Sequence, residues 1–451
     1  MKQIKHSVLN RFFFRNGIYL KIAFTLFLTL TIISQGNAQK KDVKPSSMAD
    51  FMNQRFGMFI HWGPVSLRAT EIGWSRGDQV DVADYDTLYK EFNPVLFDAD
   101  AIVKVAKDAG MKYLTITARH HDGFCLWPTK FTDYNIQASP YKKDIVGALN
   151  EACKKQGLKF CIYYSVLDWH HPDYPIHSPK NQTIDPKSDM AKYIVYMKNQ
   201  LKELIDNYDP YMLWFDGQWE KPWTDEMGKD IYAYVKGLKP TIITNNRLGK
   251  EFAAMENKNI DTTKMIGDYD TPEQAIGKLN MQTPWESCFT ICNQWAWKPN
   301  DKMKSLQECL TIVSKTAGGN GNLLLNVGPM PDGRIEQRQI TRLKEIGDWL
   351  NKNSEAYYGT LGGPYQPTND YATTRKGNKL FIYVLNAKAE NLELSNIPNK
   401  KILNAQVLSG NNVEIEKGKE KFKLKLSSDN KAPYVVVVQF NANIENVPLL
   451  N

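Results

Sequence analysis

The chain has 451 residues, of which 42% are hydrophobic, 12% aromatic and 24% charged, with six cysteines. That length allows two or three domains with an ordinary core. The aromatic content excludes an intrinsically disordered chain, and six cysteines are too few for a disulfide scaffold of this size. The formal charge of +8 overstates the mature part: Lys2, Lys5, Arg11, Arg15 and Lys21 precede residue 38 with no acid among them, so 52 bases against 49 acids leave +3. Such a balance is no footprint for nucleic acid or for an anionic membrane.

Residues 1–21 are basic, an apolar run of 12 follows at Ile22–Ile33, and Ser34-Gln-Gly-Asn-Ala38 offers a small residue for cleavage. This order predicts a secretory signal peptide over 1–38. A membrane-spanning helix takes about 20 residues, and no cysteine follows the run to carry a lipid. The mature protein is expected to be soluble and exported, periplasmic or secreted.

From residue 45 to 355 short apolar runs alternate with helical patterns. The runs are 56–60, 111–117, 158–164, 211–215, 241–244 and 323–326, rich in β-branched and aromatic residues. Several are apolar throughout, as strands buried on both faces of a parallel sheet are. Between them, 143–156 carries Ile145, Val146, Leu149, Ala152 and Cys153 at helical spacing before Gly157. Residues 189–206 carry a longer stripe, and a shorter one precedes Gly110. Further helical patterns cover 226–237, 303–317 and 336–351. The alternation predicts an α/β fold, a (β/α)8-like TIM barrel with one or two irregular staves. Residues 360–451 change texture: strands without helices, Phe422, Leu424 and Leu426 alternating with lysines, and turn residues between. This predicts a C-terminal antiparallel β-sandwich. The cysteines at 125, 153, 161, 288, 292 and 309 show no metal or redox spacing and read as small buried hydrophobes.

The ends of the apolar runs carry the chemistry. His61 follows the first; Arg119, His120 and His121 the second; Tyr163 and Tyr164 close the third; Asp216-Gly217 follows the fourth and Asn245-Asn-Arg247 the fifth. In a (β/α)8 barrel the C-terminal strand ends share one face, where the active site sits. Histidines, Arg and Asn among many tryptophans suit a sugar, which has polar edges and apolar faces. Glycoside hydrolysis needs two carboxyls, about 5–5.5 Å apart in a retaining enzyme. Asp216, short and on a rigid strand end, is the expected nucleophile. Glu286, between Trp285 and an apolar run, is the expected general acid/base, because such a setting disfavours its charge. Glu256, Asp268, Asp270 and Glu273 are its rivals.

Four stretches, Phe59-Ile-His-Trp-Gly63, Ala118-Arg-His-His-Asp-Gly-Phe124, Leu213-Trp-Phe-Asp-Gly217 and Asn322-Leu-Leu-Leu-Asn-Val-Gly-Pro329, resemble in order the signatures of the α-L-fucosidases of glycoside hydrolase family 29. The resemblance runs over about 50–360. It implies a retaining, exo-acting hydrolase that removes terminal α-L-fucose from a fucosylated glycan, needs no metal or cofactor, and uses Asp216 as nucleophile. It implies further that His61, His120, His121 and Tyr164 bind sugar hydroxyls and that Trp214 and Arg247 line the pocket. An aromatic of the Trp295–Trp297 stretch, Trp297 among them, would meet the fucose methyl. The family's adjacent Glu and Trp are separated here as Glu71-Ile-Gly-Trp74, and both are expected near the sugar. Two other readings stay open. One is a metal-dependent barrel hydrolase, although adjacent His120 and His121 would diverge on a strand. The other is a non-catalytic fucose-binding protein.

Overall fold

Strands apolar on both faces belong in a sheet that water never reaches. In the computed structural model, which describes residues 47–250, 265–386, 388–408, 410–426 and 432–450, the described residues hold seven such strands in parallel. They are β1 (Phe56–Ile60), β2 (Tyr113–Arg119), β3 (Lys159–Ser165), β4 (Met212–Asp216), β5 (Ile243–Thr244), β6 (Glu286–Thr290) and β7 (Asn322–Val327), in the order β5-β4-β3-β2-β1-β7-β6. Every residue of them except Lys159 is buried. The expected signal peptide at 1–38 and the turn at 427–430 lie outside the described residues.

Between β5 and β6 the curled sheet is bridged by an irregular segment, residues 268–273. The Asp268 amide donates to the Thr244 carbonyl at 2.8 Å and Asn245 bridges Tyr269; on the other side Asp270 bridges Trp285 and Glu273 bridges Cys288. This eighth stave holds Pro272 and three acids, so nothing in its sequence marks a strand.

The sheet's side chains alternate with period two. Residues such as Ile60, Leu114, Ile162 and Phe215 point outward into a core shared with the helices. Phe59, Tyr113, Cys161, Tyr163, Met212, Trp214, Cys288 and Leu324 point inward and fill the barrel. The outer layer includes α1 (Ala99–Asp108), α2 (Ile145–Gln156), α3 (Met190–Tyr208), α4 (Asp225–Leu238), α5 (Leu306–Gly318) and α6 (Gln337–Lys352). The starts of α1 to α5 are capped by side chains that satisfy free amides. Asp144 accepts from the Gly147 amide at 2.8 Å, and Ser305 with Glu308 forms a reciprocal capping box at α5. Gly157 ends α2 at φ 79°, a conformation that favours glycine.

The C-terminal strands are β8 (Leu361–Gly362), β9 (Tyr371–Lys376), β10 (Lys379–Val384), β11 (Asn391–Ser395), β12 (Ile402–Val407), β13 (Glu414–Lys417), β14 (Lys421–Lys425) and β15 (Tyr434–Phe440). They form a five-stranded sheet, β12-β15-β10-β9-β8, and a three-stranded sheet, β11-β14-β13, both antiparallel. Leu392, Leu394, Phe422 and Leu424 of the small sheet pack against Leu380, Ile382, Val436 and Val438 of the large one. The large sheet's other face, with Phe381, Tyr383, Val435 and Val437, packs on Ala356 and Trp349 at the end of the barrel. Burial on both sides explains why Val435–Val438 reads as one unbroken apolar run. The six cysteines are all buried and free.

Phe381 is fully buried in that layer between the large sheet and the end of the barrel. Phe381→Ala should therefore cost about 3–5 kcal/mol in urea unfolding, whereas Leu403→Ala, at a side chain 57% exposed on β12, should stay within about 0.5 kcal/mol. Equal effects would contradict the two-faced burial of the large sheet.

Candidate active site

The C-terminal ends of the barrel strands surround a cavity of about 280 Å³, near the lower limit of small-molecule pockets at roughly 300 Å³. His61 comes to it just after β1, His120 and His121 just after β2, Tyr163 from β3, Trp214 and Asp216 from β4, and Arg247 from beyond β5. Glu273 comes from the irregular stave, Cys288 from β6 and Trp295 from the loop after it. Asp216, the last residue of β4, is spaced two from Trp214, so both point inward.

Arg247 joins the two carboxylates. One terminal nitrogen of its guanidinium, Nη1, donates to Asp216 Oδ1 at 2.9 Å, and the other, Nη2, lies 2.9 Å from Glu273 Oε2. Asp216 and Glu273 are thus bridged by one guanidinium on the same side of the cavity. Nε donates to Thr271 Oγ1 at 3.0 Å, and the guanidinium lies over the Trp214 ring, 4.5 Å from its centroid. Burial opposes the Arg247 charge, but the Asp216 and Glu273 carboxylates more than offset it and raise its pKa. The other Asp216 oxygen, Oδ2, accepts from the Tyr163 hydroxyl at 3.0 Å. Asp216 is 8% exposed, while the Glu273 side chain is 38% exposed. One carboxylate is therefore held in place, and the other reaches solvent.

The histidines are uncharged. Burial drives His61 and His121 down to about 3, and His120 well below its ordinary value. Their neighbours set the tautomers. Asn326 donates from Nδ2 to the Trp295 carbonyl at 2.7 Å, so its Oδ1, 2.6 Å from His61 Nδ1, accepts. Ser165 donates to the Leu167 carbonyl at 2.6 Å, so its oxygen accepts from His121 Nδ1 at 2.8 Å. Both rings therefore carry the proton on Nδ1 and keep Nε2 as an acceptor. His121 Nε2 stands 3.7 Å from Asp216 Oδ2. The His120 ring stacks on Tyr163 at 5.3 Å.

Four residues expected at the sugar stand elsewhere. Glu286 opens β6, so it sits at the N-terminal end of an inward row, beneath the cavity floor. It is fully buried and accepts from Trp214 Nε1 at 3.0 Å, Tyr269 at 3.3 Å and, at short range, Tyr113. Tyr164 faces outward, donating to Gln200 at 2.8 Å with the Arg119 guanidinium over its ring; its neighbour Tyr163 takes the inward place. Glu71 accepts from the backbone amides of Ile72, Trp295 and Ala296 at 3.1, 2.9 and 2.9 Å, so it fixes the Trp295 loop instead of lining the cavity. Trp297 is absent from the lining, where Trp295 is present, its ring 4.7 Å from His61. His61, Trp74, His120, His121, Trp214, Asp216 and Arg247 do line it. Of the rival acids, Asp268 is engaged by Lys236 at 2.7 Å and Asp270 by Asn246 at 2.7 Å; Glu256 lies outside the described residues. Among the described residues no three His, Cys, Asp or Glu side chains gather as metal ligands would.

Residues 33–355 match the sequence model of the family described as Alpha-L-fucosidase. The tissue alpha-L-fucosidase of Bos taurus is 28% identical over 362 residues, covering 74% of each chain. A putative alpha-L-fucosidase of Caenorhabditis elegans is 27% identical over 407 residues, 79% of this chain and 81% of that one. Among solved structures, alpha-L-fucosidase isoenzyme 1 of Paenibacillus thiaminolyticus superposes with a TM-score of 0.78 at 30% identity, covering 88% of this chain and 99% of its own. A family 29 alpha-L-fucosidase of Bacteroides thetaiotaomicron, trapped as a covalent intermediate with 2-fluoro-fucosyl fluoride in a Glu-to-Gln mutant, superposes with a TM-score of 0.79 at 27% identity, over 90% and 98% of the two chains.

Burial pushes the Glu286 carboxyl from its ordinary 4.5 up to about 7. The folded protein then holds this proton more tightly than the unfolded chain does, so stability from this group falls as pH rises from about 4.5 through 7. Glu286→Gln should remove that slope. The stability difference between wild type and variant, followed by urea unfolding from pH 5 to 8, should move against wild type by up to roughly 3 kcal/mol. A pH-independent difference would contradict the buried, structural place of Glu286.

Proposed function

The chain belongs to the alpha-L-fucosidases of glycoside hydrolase family 29 and is a retaining α-L-fucosidase; on that premise we propose that it is exo-acting, with Asp216 as nucleophile and Glu273 as general acid/base. The observation that carries the reading is the single guanidinium of Arg247 between these two carboxylates, in a cavity of one-sugar size.

In the first step an Asp216 oxygen attacks C1 of a terminal fucose. The C1–O bond to the rest of the glycan breaks, its electron pair goes to the leaving oxygen, and Glu273 gives that oxygen a proton. Asp216 is left as a fucosyl ester. In the second step Glu273, now ionised, takes a proton from water; the water oxygen attacks C1, the ester bond breaks, and α-fucose leaves with its configuration retained. Arg247 and Tyr163 hold Asp216 aimed, and the carboxylate lies against the oxocarbenium character that develops at C1. The exposure of Glu273 lets it exchange protons with solvent between the steps. Neutral His61 and His121, each offering Nε2 as an acceptor, suit sugar hydroxyls as donors. The substrate is then a fucosylated glycan, entered from its fucose end.

Asp216→Gly and Glu273→Ala separate the two roles. Glu273→Ala should lower kcat/KM on a disaccharide by about 10²–10⁴-fold; on an aryl fucoside, whose leaving group needs no proton, azide should restore turnover with the α-fucosyl azide as product. Asp216→Gly should be the more damaging, and azide should then give the β-anomer. Glu286→Ala should give no azide product; an α-azide from that variant, and none from Glu273→Ala, would return the acid role to Glu286.

A further inference from the structure

The chain has eleven tryptophans, and two stand out as exposed: Trp74 at 41% and Trp219 at 42%. They are neighbours, and both border the cavity. Large apolar side chains left in water at one place mark a surface that something covers.

Their geometry is fixed from beneath. The two indoles are stacked, with centroids 5.9 Å apart and planes 16° from parallel. Each stands edge-on to His121, Trp74 at 87° and 5.6 Å, Trp219 at 89° and 5.2 Å. His121 in turn lies 3.7 Å from Asp216. Trp74 also packs against Trp169, whose indole N–H is held by Glu220 at 2.9 Å. The pair is thus a rigid apolar ledge, one ring away from the nucleophile and at the mouth. Asp216, Arg247, His61 and His121, which line the same cavity, are buried.

We propose that Trp74 and Trp219 form the aglycone subsite, where the pyranose attached to fucose rests the C–H face of its ring on indole. The inference rests on the fucosidase reading of the cavity. Once a fucose fills a space of about 280 Å³, the remainder of the glycan must leave through the mouth, and the ledge is continuous with it. A sugar face is apolar and flat, as the ledge is. Stacking fixes the plane of a ring but not the position of its hydroxyls, so the subsite selects a pyranose while tolerating more than one linkage.

Two substrates read the subsite separately: α-L-fucosyl fluoride, whose leaving group has no ring, and a fucosyl disaccharide. Trp219→Ala should lower kcat/KM for the disaccharide about tenfold, leave the fluoride within about twofold, and be largely restored by Trp219→Phe. Equal losses on both substrates would overturn the proposal by placing Trp219 at the fucose itself or in folding; no loss on either would overturn it as well. A wild-type enzyme that cleaved neither substrate would instead overturn the reading of the whole cavity, so the two failures are distinct.

Discussion

A guanidinium buried to 2% exposure between two carboxylates is the constraint around which this barrel end is built. A buried cation is costly unless it is paired and hydrogen-bonded. Arg247 has Asp216, Glu273 and Thr271 as partners and the face of Trp214 beneath it. Removing either carboxylate leaves charge uncompensated, so the residues proposed for catalysis are also partners in a structural unit. Beneath it, Trp214 is pinned by Glu286 through its indole N–H. The floor carboxylate therefore holds the ring on which Arg247 rests.

The two carboxylates come from different kinds of backbone. Asp216 ends a buried strand paired along its length with β3 and takes two hydrogen bonds, from Arg247 and Tyr163. Glu273 hangs from an irregular stave attached by scattered bridges. This difference suits the roles proposed for them: a nucleophile must be aimed, whereas an acid/base must exchange its proton with solvent and follow two different oxygens through the cycle. A regular eighth strand would have held Glu273 as tightly as Asp216.

Much of this was legible in the sequence, and the misreadings have physical causes. Apolar runs ending in His61, His120, Asp216 and Arg247 locate the face of the barrel where they converge. Tyr164 could not be told from Tyr163, because β3 is buried on both faces from Phe160 to Ser165 and no polar alternation sets its phase. Glu286 precedes its apolar run where the other candidates follow theirs, so strand polarity itself argues for the barrel's opposite end. Glu273 stands among four rivals of Glu286 with nothing to single it out, because the stave around Pro272 has no strand pattern. Glu71 matches in residue type, but its carboxylate is spent on the amides of Trp295 and Ala296.

The most direct test of the central claim is to locate the covalent bond. The enzyme is treated with 2-deoxy-2-fluoro-α-L-fucosyl fluoride, digested at low pH, and its peptides are sequenced by mass spectrometry. The account predicts one added fluorofucosyl group, on the peptide and carboxyl of Asp216. A label on Glu273 or Glu286, or turnover of fucosides with no labelled peptide, would contradict it.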